Sequence, residues 1–317
     1  MFLIATAMLV GCRMSAPIHV WQPPRLVSAV DKRVVLSPLV GPEEIAEPLQ
    51  QQLLSTVPKD NGRKLQLIDG SRLKSFGAIQ LVSASSDEPN DVVLASVARR
   101  QGADFLLRGE LVDRAQRTKK PQDASIEALA ISWRLTPLDQ QSPAKGRPVS
   151  VDLETAIDRY PDLRLQSDPQ LILTAAIARE SFRLFSPFVE QMRVQLSIPY
   201  GFPGSRQVRR GNLAARAGNW GQAQRIWRSV LEEHPRCVAA IHNLALAAAA
   251  GQDFSEAKRL ARRAIRLQPT SLHQESLVWI ELQQRAYHQA FHLPPPPEGW
   301  FVTTQAMDES SALSRPE

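Results

Sequence analysis

Catalytic spacing is what this sequence lacks most. No G-x-S-x-G elbow, H-E-x-x-H pair, G-x-x-x-x-G-K-[ST] phosphate loop or C-x-x-C pair occurs in its 317 residues. The usual constellations for activating a serine, a zinc-bound water or a phosphoryl group are absent, so no catalytic residue and no cofactor is expected. His288 and His292 lie four apart without a third ligand in view, so no metal site is expected either. Cysteine is nearly missing, with Cys12 and Cys237 the two present, too few for a disulfide framework. Aromatics make up 6% of the chain and are sparse in its most basic stretch. The stacking platform of a single-strand nucleic-acid binder is therefore lacking, and no nucleic acid is expected as a partner. The apolar run Met1 to Gly11 is eleven residues long, far short of the ~30 Å that a spanning helix must cover.

What is present describes a globular protein of about two domains, given ~100–200 residues for each, with 43% hydrophobic and 22% charged residues. The net charge of +6 is uneven. Between Gly204 and Pro269 twelve basic residues face four acidic ones, so this segment carries +8 and the remainder is close to neutral. Arg259, Arg262, Arg263 and Arg266 follow i, i+3, i+4, i+7 spacing and share one helix face, opposite Leu260, Ala264 and Leu267. Such a face meets either an anionic partner or lipid surface, or simply solvent.

The same segment repeats itself. Pro235 and Pro269 are 34 positions apart, as are Ala223 and Ala257, and the register pairs Gly211 with Ala245 and Leu231 with Ile265. Small residues recur where helices must approach closely, and a proline closes each unit. The stretches "GNLAARAGNWGQAQRIWRSVLEEHP" and "HNLALAAAAGQDFSEAKRLARRAIRLQP" resemble two consecutive tetratricopeptide repeats, with Ala261 standing where the first unit has Trp227. Each such unit is an amphipathic helix pair that needs a stacked neighbour, so Ser271 to Phe291 is expected as a capping helix. The resemblance implies a concave surface for a protein partner. By the same resemblance Arg209, Asn212, His242 and Asn243 would line it, although Val208 and His273 stand where peptide-clamping members carry lysine.

"LVGC" at Leu9–Cys12 resembles a bacterial lipoprotein box, which implies cleavage before Cys12 and acylation of its thiol, although no Lys or Arg precedes the apolar run. Cys237 would then have no disulfide partner and serve as a small apolar residue. Arg13 rather than Asp follows Cys12, which by resemblance to enterobacterial sorting favours the outer membrane over the inner. Residues 13–31, with Pro17, Pro23 and Pro24, read as an extended tether.

From 32 to 200 the pattern reads β-α-β-α-β-β-β-α-β. The strands are expected at Val34–Leu36, Leu65–Asp69, Asp104–Val112, around Leu129–Leu135, around Val149–Leu153 and at Arg193–Ser197. Pro42, Asn90 and Asp168 open the helices, the last lining one side with Leu171, Ala175, Ala178, Phe182 and Phe185. This order, with "RVVLSPL", "EPLQQQLLSTV", "LIDGSRL" and "ARRQGADFLLRGEL", resembles the periplasmic domain of curli-secretion (CsgG-type) lipoproteins and the TolB amino-terminal domain. Pore-forming members of that family insert long hairpins. The loops Asp113–Ala124 and Pro137–Arg147 are too basic and proline-rich for the ~10 alternating residues per strand of a membrane barrel.

The expected fold is therefore α+β, with a mixed sheet and packed helices over 32–200 and helical repeats with a cap over 204–292. A signal peptide at 1–12 precedes them, and a proline-rich segment with a disordered tail is expected after them over 293–317. The expected function is a non-enzymatic, lipid-anchored envelope scaffold or assembly factor facing the periplasm, with other envelope proteins as partners. The alternatives are a subunit of an export complex and an enzyme of unknown type.

Overall fold

A computed structural model describes residues 14–73, 91–112, 128–139 and 142–302. The acylation site expected at Cys12, the helix cap expected at Asn90, the loop Asp113–Ala124 and the tail from 303 lie outside the described residues. The protein is α+β. In chain order its elements are β1 (Met14–Gln22), β2 (Arg33–Leu36), α1 (Glu43–Ser55), β3 (Gln66–Asp69), α2 (Asp91–Arg100), β4 (Phe105–Leu111), β5 (Ala128–Pro137) and β6 (Lys145–Asp152). The remaining elements are α3 (Leu153–Arg159), α4 (Pro169–Phe182), β7 (Phe188–Leu196), α5 (Ser205–Arg216), α6 (Trp220–Glu233), α7 (Val238–Ala250), α8 (Phe254–Leu267) and α9 (Ser271–Ala290). Contacts divide the chain into two compact units, Pro23–Phe188 and a unit that joins Met1–Gln22 to Val189–Glu317.

The first unit is built on a five-stranded sheet in the order β3-β2-β4-β5-β6. β2 runs parallel to both β3 and β4, and the remaining pairs are antiparallel. Period-two alternation sorts the side chains. Val34, Leu36 and Leu107 join the main core with Leu129, Ile131, Trp133, Leu135, Val149 and Val151, whereas Val35 and Leu106 enter a smaller cluster with Ala98 of α2. Pro42 sets the entry to α1, whose first turn carries Glu43 and Glu44, and Asp168 caps α4 by accepting from the Gln170 N–H at 2.8 Å.

Two expectations need correction here. Leu171 is exposed rather than inward, and α4 has no single apolar side, because Ile172 to Ala178 are all buried. The helix packs against α1, α3, β5 and β6, and one enclosed on all sides loses its amphipathic stripe. Its one deeply buried charge, Glu180, accepts from the Tyr160 hydroxyl at 2.7 Å and from Arg183 at 2.8 Å. The tether expected over 13–31 is the second correction. Residues 14–22 form β1, which pairs with β7 in a separate two-stranded sheet, and Ala16 and Ile18 are fully buried. β7 starts at Phe188 and belongs to this two-stranded sheet, not to the five-stranded one.

In the second unit each helix from α5 to α9 packs on the next, and α5 and α9 both touch α7. α7 is alanine-rich and buried from Ala239 to Ala249, which lets neighbours approach from several sides. Gly211 of α5 allows the closest approach: a Cβ there would lie 2.3 Å from Nε1 of the fully buried Trp227. Among the described residues no helix is long and apolar enough to cross a membrane.

Trp133 fills the main core and donates from Nε1 to the Ser181 hydroxyl at 2.8 Å. Trp133→Ala is expected to cost ~3–5 kcal/mol through the cavity it leaves. A urea midpoint for Trp133→Ala equal to the wild type would contradict this packing.

Candidate functional site

β1 lies across α5, α7 and α9. Ala16, Ile18 and Val20 pack into the helical core. The Trp220 indole donates to the Pro17 carbonyl at 2.7 Å, Gln22 donates to Gln283 at 3.1 Å, and Trp21 meets Phe291 edge-on at 5.1 Å. The helix surface expected to receive a partner is thus covered by a strand of the same chain.

Where β7 ends, Asn243 grips the backbone of Ser197 at both of its polar groups. Its Oδ1 accepts the Ser197 N–H at 2.8 Å and its Nδ2 donates to the Ser197 carbonyl at 3.0 Å. Asn212 donates to that carbonyl at 3.0 Å and accepts from Asn243 at 2.8 Å. Because Asn243 Oδ1 is an acceptor, His242 must donate to it from Nδ1 (3.1 Å), which leaves Nε2 to accept the Ser276 hydroxyl at 2.9 Å. Of the four residues expected to touch a partner, Asn212, His242 and Asn243 are therefore corrected. All three are fully buried; Asn212 and Asn243 hold the chain's own Ser197, and His242 braces Asn243. Arg209 alone reaches the surface, where it stacks over Tyr200 at 5.6 Å and donates to the Pro199 carbonyl at 3.4 Å.

Anchoring Ser197 fixes the course of the segment after it. Ile198 to Pro203 form one wall of a cleft of about 610 Å³, whose opposite wall is the α6–α7 turn from Glu233 to Ala239. Tyr200 and Phe202 stand on its edge 63% and 72% exposed. Arg236 and His234 add basic character, Glu233 is the acidic residue, and Cys237 lines the floor half-buried. Chemically this arrangement can take an apolar or aromatic side chain with an acidic neighbour. Tyr200 and Phe202 were missed in the sequence because "YGFPG" reads as a turn, and only the anchoring of Ser197 turns it into a wall.

The expected basic face is divided. Arg259 forms a bidentate pair with Glu256 at 2.7 and 2.6 Å, Arg262 stacks over Phe301 at 4.4 Å, and Arg263 donates to the Pro235 carbonyl at 2.6 Å. Arg266 is exposed. Three of the four are thus used within the chain. His288 is 2.6 Å from the Pro294 carbonyl, and no group of three or more His, Cys, Asp or Glu among the described residues could hold a metal ion. A second cleft, about 480 Å³, opens in the first unit beside the ends of β2 and β3, where Gln50 accepts from Leu39 N–H at 3.2 Å and donates to Asp69 at 3.1 Å.

No protein-family model matches the chain, and no curated protein matches it. Among solved structures it is similar to the PelC dodecamer from Paraburkholderia phytofirmans. A point variant of that protein aligns at 13% identity and TM-score 0.30 over 53% of this chain and 97% of the other. A second crystal form aligns at 12% and 0.29 over 53% and 96%.

Burial, with His273 beside it, lowers His242 from its ordinary 6.5 to about 4. A group depressed in the folded state contributes its stability above the unfolded pKa. Stability should therefore fall by up to ~3 kcal/mol as pH drops from 6.5 towards 4, and His242→Gln should flatten that slope. Denaturant titrations across this window check it; parallel curves for both proteins would refute the assignment. Asn243→Ala strips two partners from the part-buried Ser197 backbone and should cost ~2 kcal/mol, read as a lower urea midpoint.

Proposed function

We propose that this chain is a non-enzymatic scaffold of a bacterial cell envelope, anchored through lipid on Cys12, and that its helical unit docks other envelope proteins at the cleft beside Tyr200 and Phe202. The observation that carries this reading is the exposure of those two aromatics on an apolar cleft with a basic rim. Buried or half-buried aromatics and arginines supply most of the energy in protein interfaces, and an exposed pair held on an anchored backbone has little ordering cost on binding.

Further features support the finer reading. α6 and α8 begin 34 residues apart, at Trp220 and Phe254, and the Gly211–Trp227 contact puts a small residue against a large one where paired helices cross, as tetratricopeptide-type units require. The order β2-α1-β3-α2-β4, continued by two antiparallel strands, agrees with the CsgG-type and TolB amino-terminal resemblance. The sequence around Cys12 supports the anchor and the outer-membrane side of the periplasm. With β1 beginning at Met14, one residue would separate an acylated Cys12 from that strand, so the lipid would tie the helical unit to the bilayer with almost no slack.

Cys12→Ser should abolish incorporation of labelled palmitate and release the protein from membranes. Phe202→Glu combined with Tyr200→Ala should reduce crosslinked capture of envelope proteins by about tenfold or more. The urea midpoint should stay the same, because both side chains are exposed. An unchanged set of captured proteins from that double variant would sink the docking site.

A further inference from the structure

From Gln191 to Leu231 the sequence holds seven arginines and no aspartate or glutamate. α5 lies inside this stretch. It buries Val208, Gly211, Asn212 and Ala215, and the helical period brings Arg206, Arg209, Arg210, Leu213 and Arg216 together on the opposite side, where all five are exposed. Arg209 is taken up by Tyr200 and the Pro199 carbonyl. The guanidinium groups of Arg206, Arg210 and Arg216 meet no partner among the described residues, and Leu213 stands among them 57% exposed. On α8, by contrast, Arg259, Arg262 and Arg263 are occupied by Glu256, Phe301 and the Pro235 carbonyl. Like charges three and four residues apart repel each other along a helix. A carboxylate-free face of this kind is relieved only by negative charge from outside the chain.

We propose that this face of α5 rests on an anionic lipid surface, with Arg206, Arg210 and Arg216 against the phosphate headgroups and Leu213 reaching towards the acyl boundary. The start of the described chain favours a membrane over an acidic protein. β1 begins at Met14 and packs on α5, and its Pro17 carbonyl accepts from the indole of Trp220, four residues past Arg216. On the reading that Cys12 carries lipid, on which this inference rests, the acyl chains leave the protein near that end of α5, and the bilayer they enter lies close to the arginines. Arginine suits such a surface, because its planar fork of donors meets a phosphate group bidentately. An apolar side chain among cations at a helix surface is the composition of a helix that lies in the plane of a membrane interface. Here the helix is held by the fold, with Val208 and Ala215 in the core, so nothing has to be ordered on contact.

Vesicle sedimentation tests this on the full-length chain carrying Cys12→Ser, which cannot be acylated. Its binding to phosphatidylcholine vesicles with and without phosphatidylglycerol is compared; the apolar stretch Met1 to Gly11 adds the same baseline to both. The anionic vesicles should be preferred, and added salt should erode the preference by screening. Arg206→Gln, Arg210→Gln and Arg216→Gln together should lower binding to the anionic vesicles by about a hundredfold, with an unchanged urea midpoint because all three side chains are exposed. Removing as much charge from the other unit, with Lys145→Gln, Arg147→Gln and Arg164→Gln, should leave the preference in place. Equal binding of the parent chain to both kinds of vesicle overturns the proposal without any α5 variant. A preference kept by the α5 variant, or lost equally in the control, overturns it too. Palmitate labelling of Cys12 and vesicle preference are separate readouts, so failure of the anchor and failure of the α5 face are told apart, and neither variant touches Tyr200 or Phe202.

Discussion

Asn243 and its grip on Ser197 constrain the helical unit more than any other contact. A primary amide has one acceptor and one donor in the geometry of a peptide group, and here it meets a backbone N–H and C=O together. Satisfying both fixes where β7 ends. That point in turn sets the path of Ile198 to Pro203 and the cleft they wall. Asn212, His242 and Ser276 complete the network, so that few of the polar atoms it buries lack a partner. A network of this kind is stabilising only when complete, because an orphaned polar group in a low-dielectric interior costs more than the bond it would have made.

The same logic explains how the chain treats its own exposed surfaces. Helices stacked side by side leave apolar faces and open ends that need cover. β1 covers α5, α7 and α9 with Ala16, Ile18 and Val20. The segment from Leu293 to Val302 covers α8 and α9 with Phe301 and the Glu298–Lys258 ion pair. Both covering pieces are extended and come from regions outside the helices they cover. The cleft beside Tyr200 and Phe202 stays open, and the docking reading rests there and not on the helix faces.

Much of the fold was legible in residues. Alternation at Leu129, Ile131, Trp133 and Leu135 marks β5, Pro42 and Asp168 mark helix starts, and the 34-residue register marks the helix pairs, because each of these signals is local and periodic. α3 was missed because Leu153 to Arg159 is a short helix directly behind a strand, where a strand's alternation and a helix's turn are alike over so few residues. β1 was misread because Pro17, Pro23 and Pro24 speak for extended chain, and extended chain becomes a strand only when a partner with free backbone groups, here β7, lies beside it. The candidate site was half legible: the positions of Asn212 and Asn243 drew attention, but their ligand turned out to be Ser197.

The sequence by itself determined the α+β class, the helix boundaries set by proline and aspartate, and the concentration of positive charge between Gly204 and Pro269. Those properties reside in neighbouring residues and survive any arrangement of the elements. Only the tertiary structure decided which surfaces are available, because burial is a property of pairs distant in the chain. Ser197 against Asn243, Pro17 against Trp220 and Glu298 against Lys258 are 46, 203 and 40 residues apart, and no local pattern encodes such a meeting.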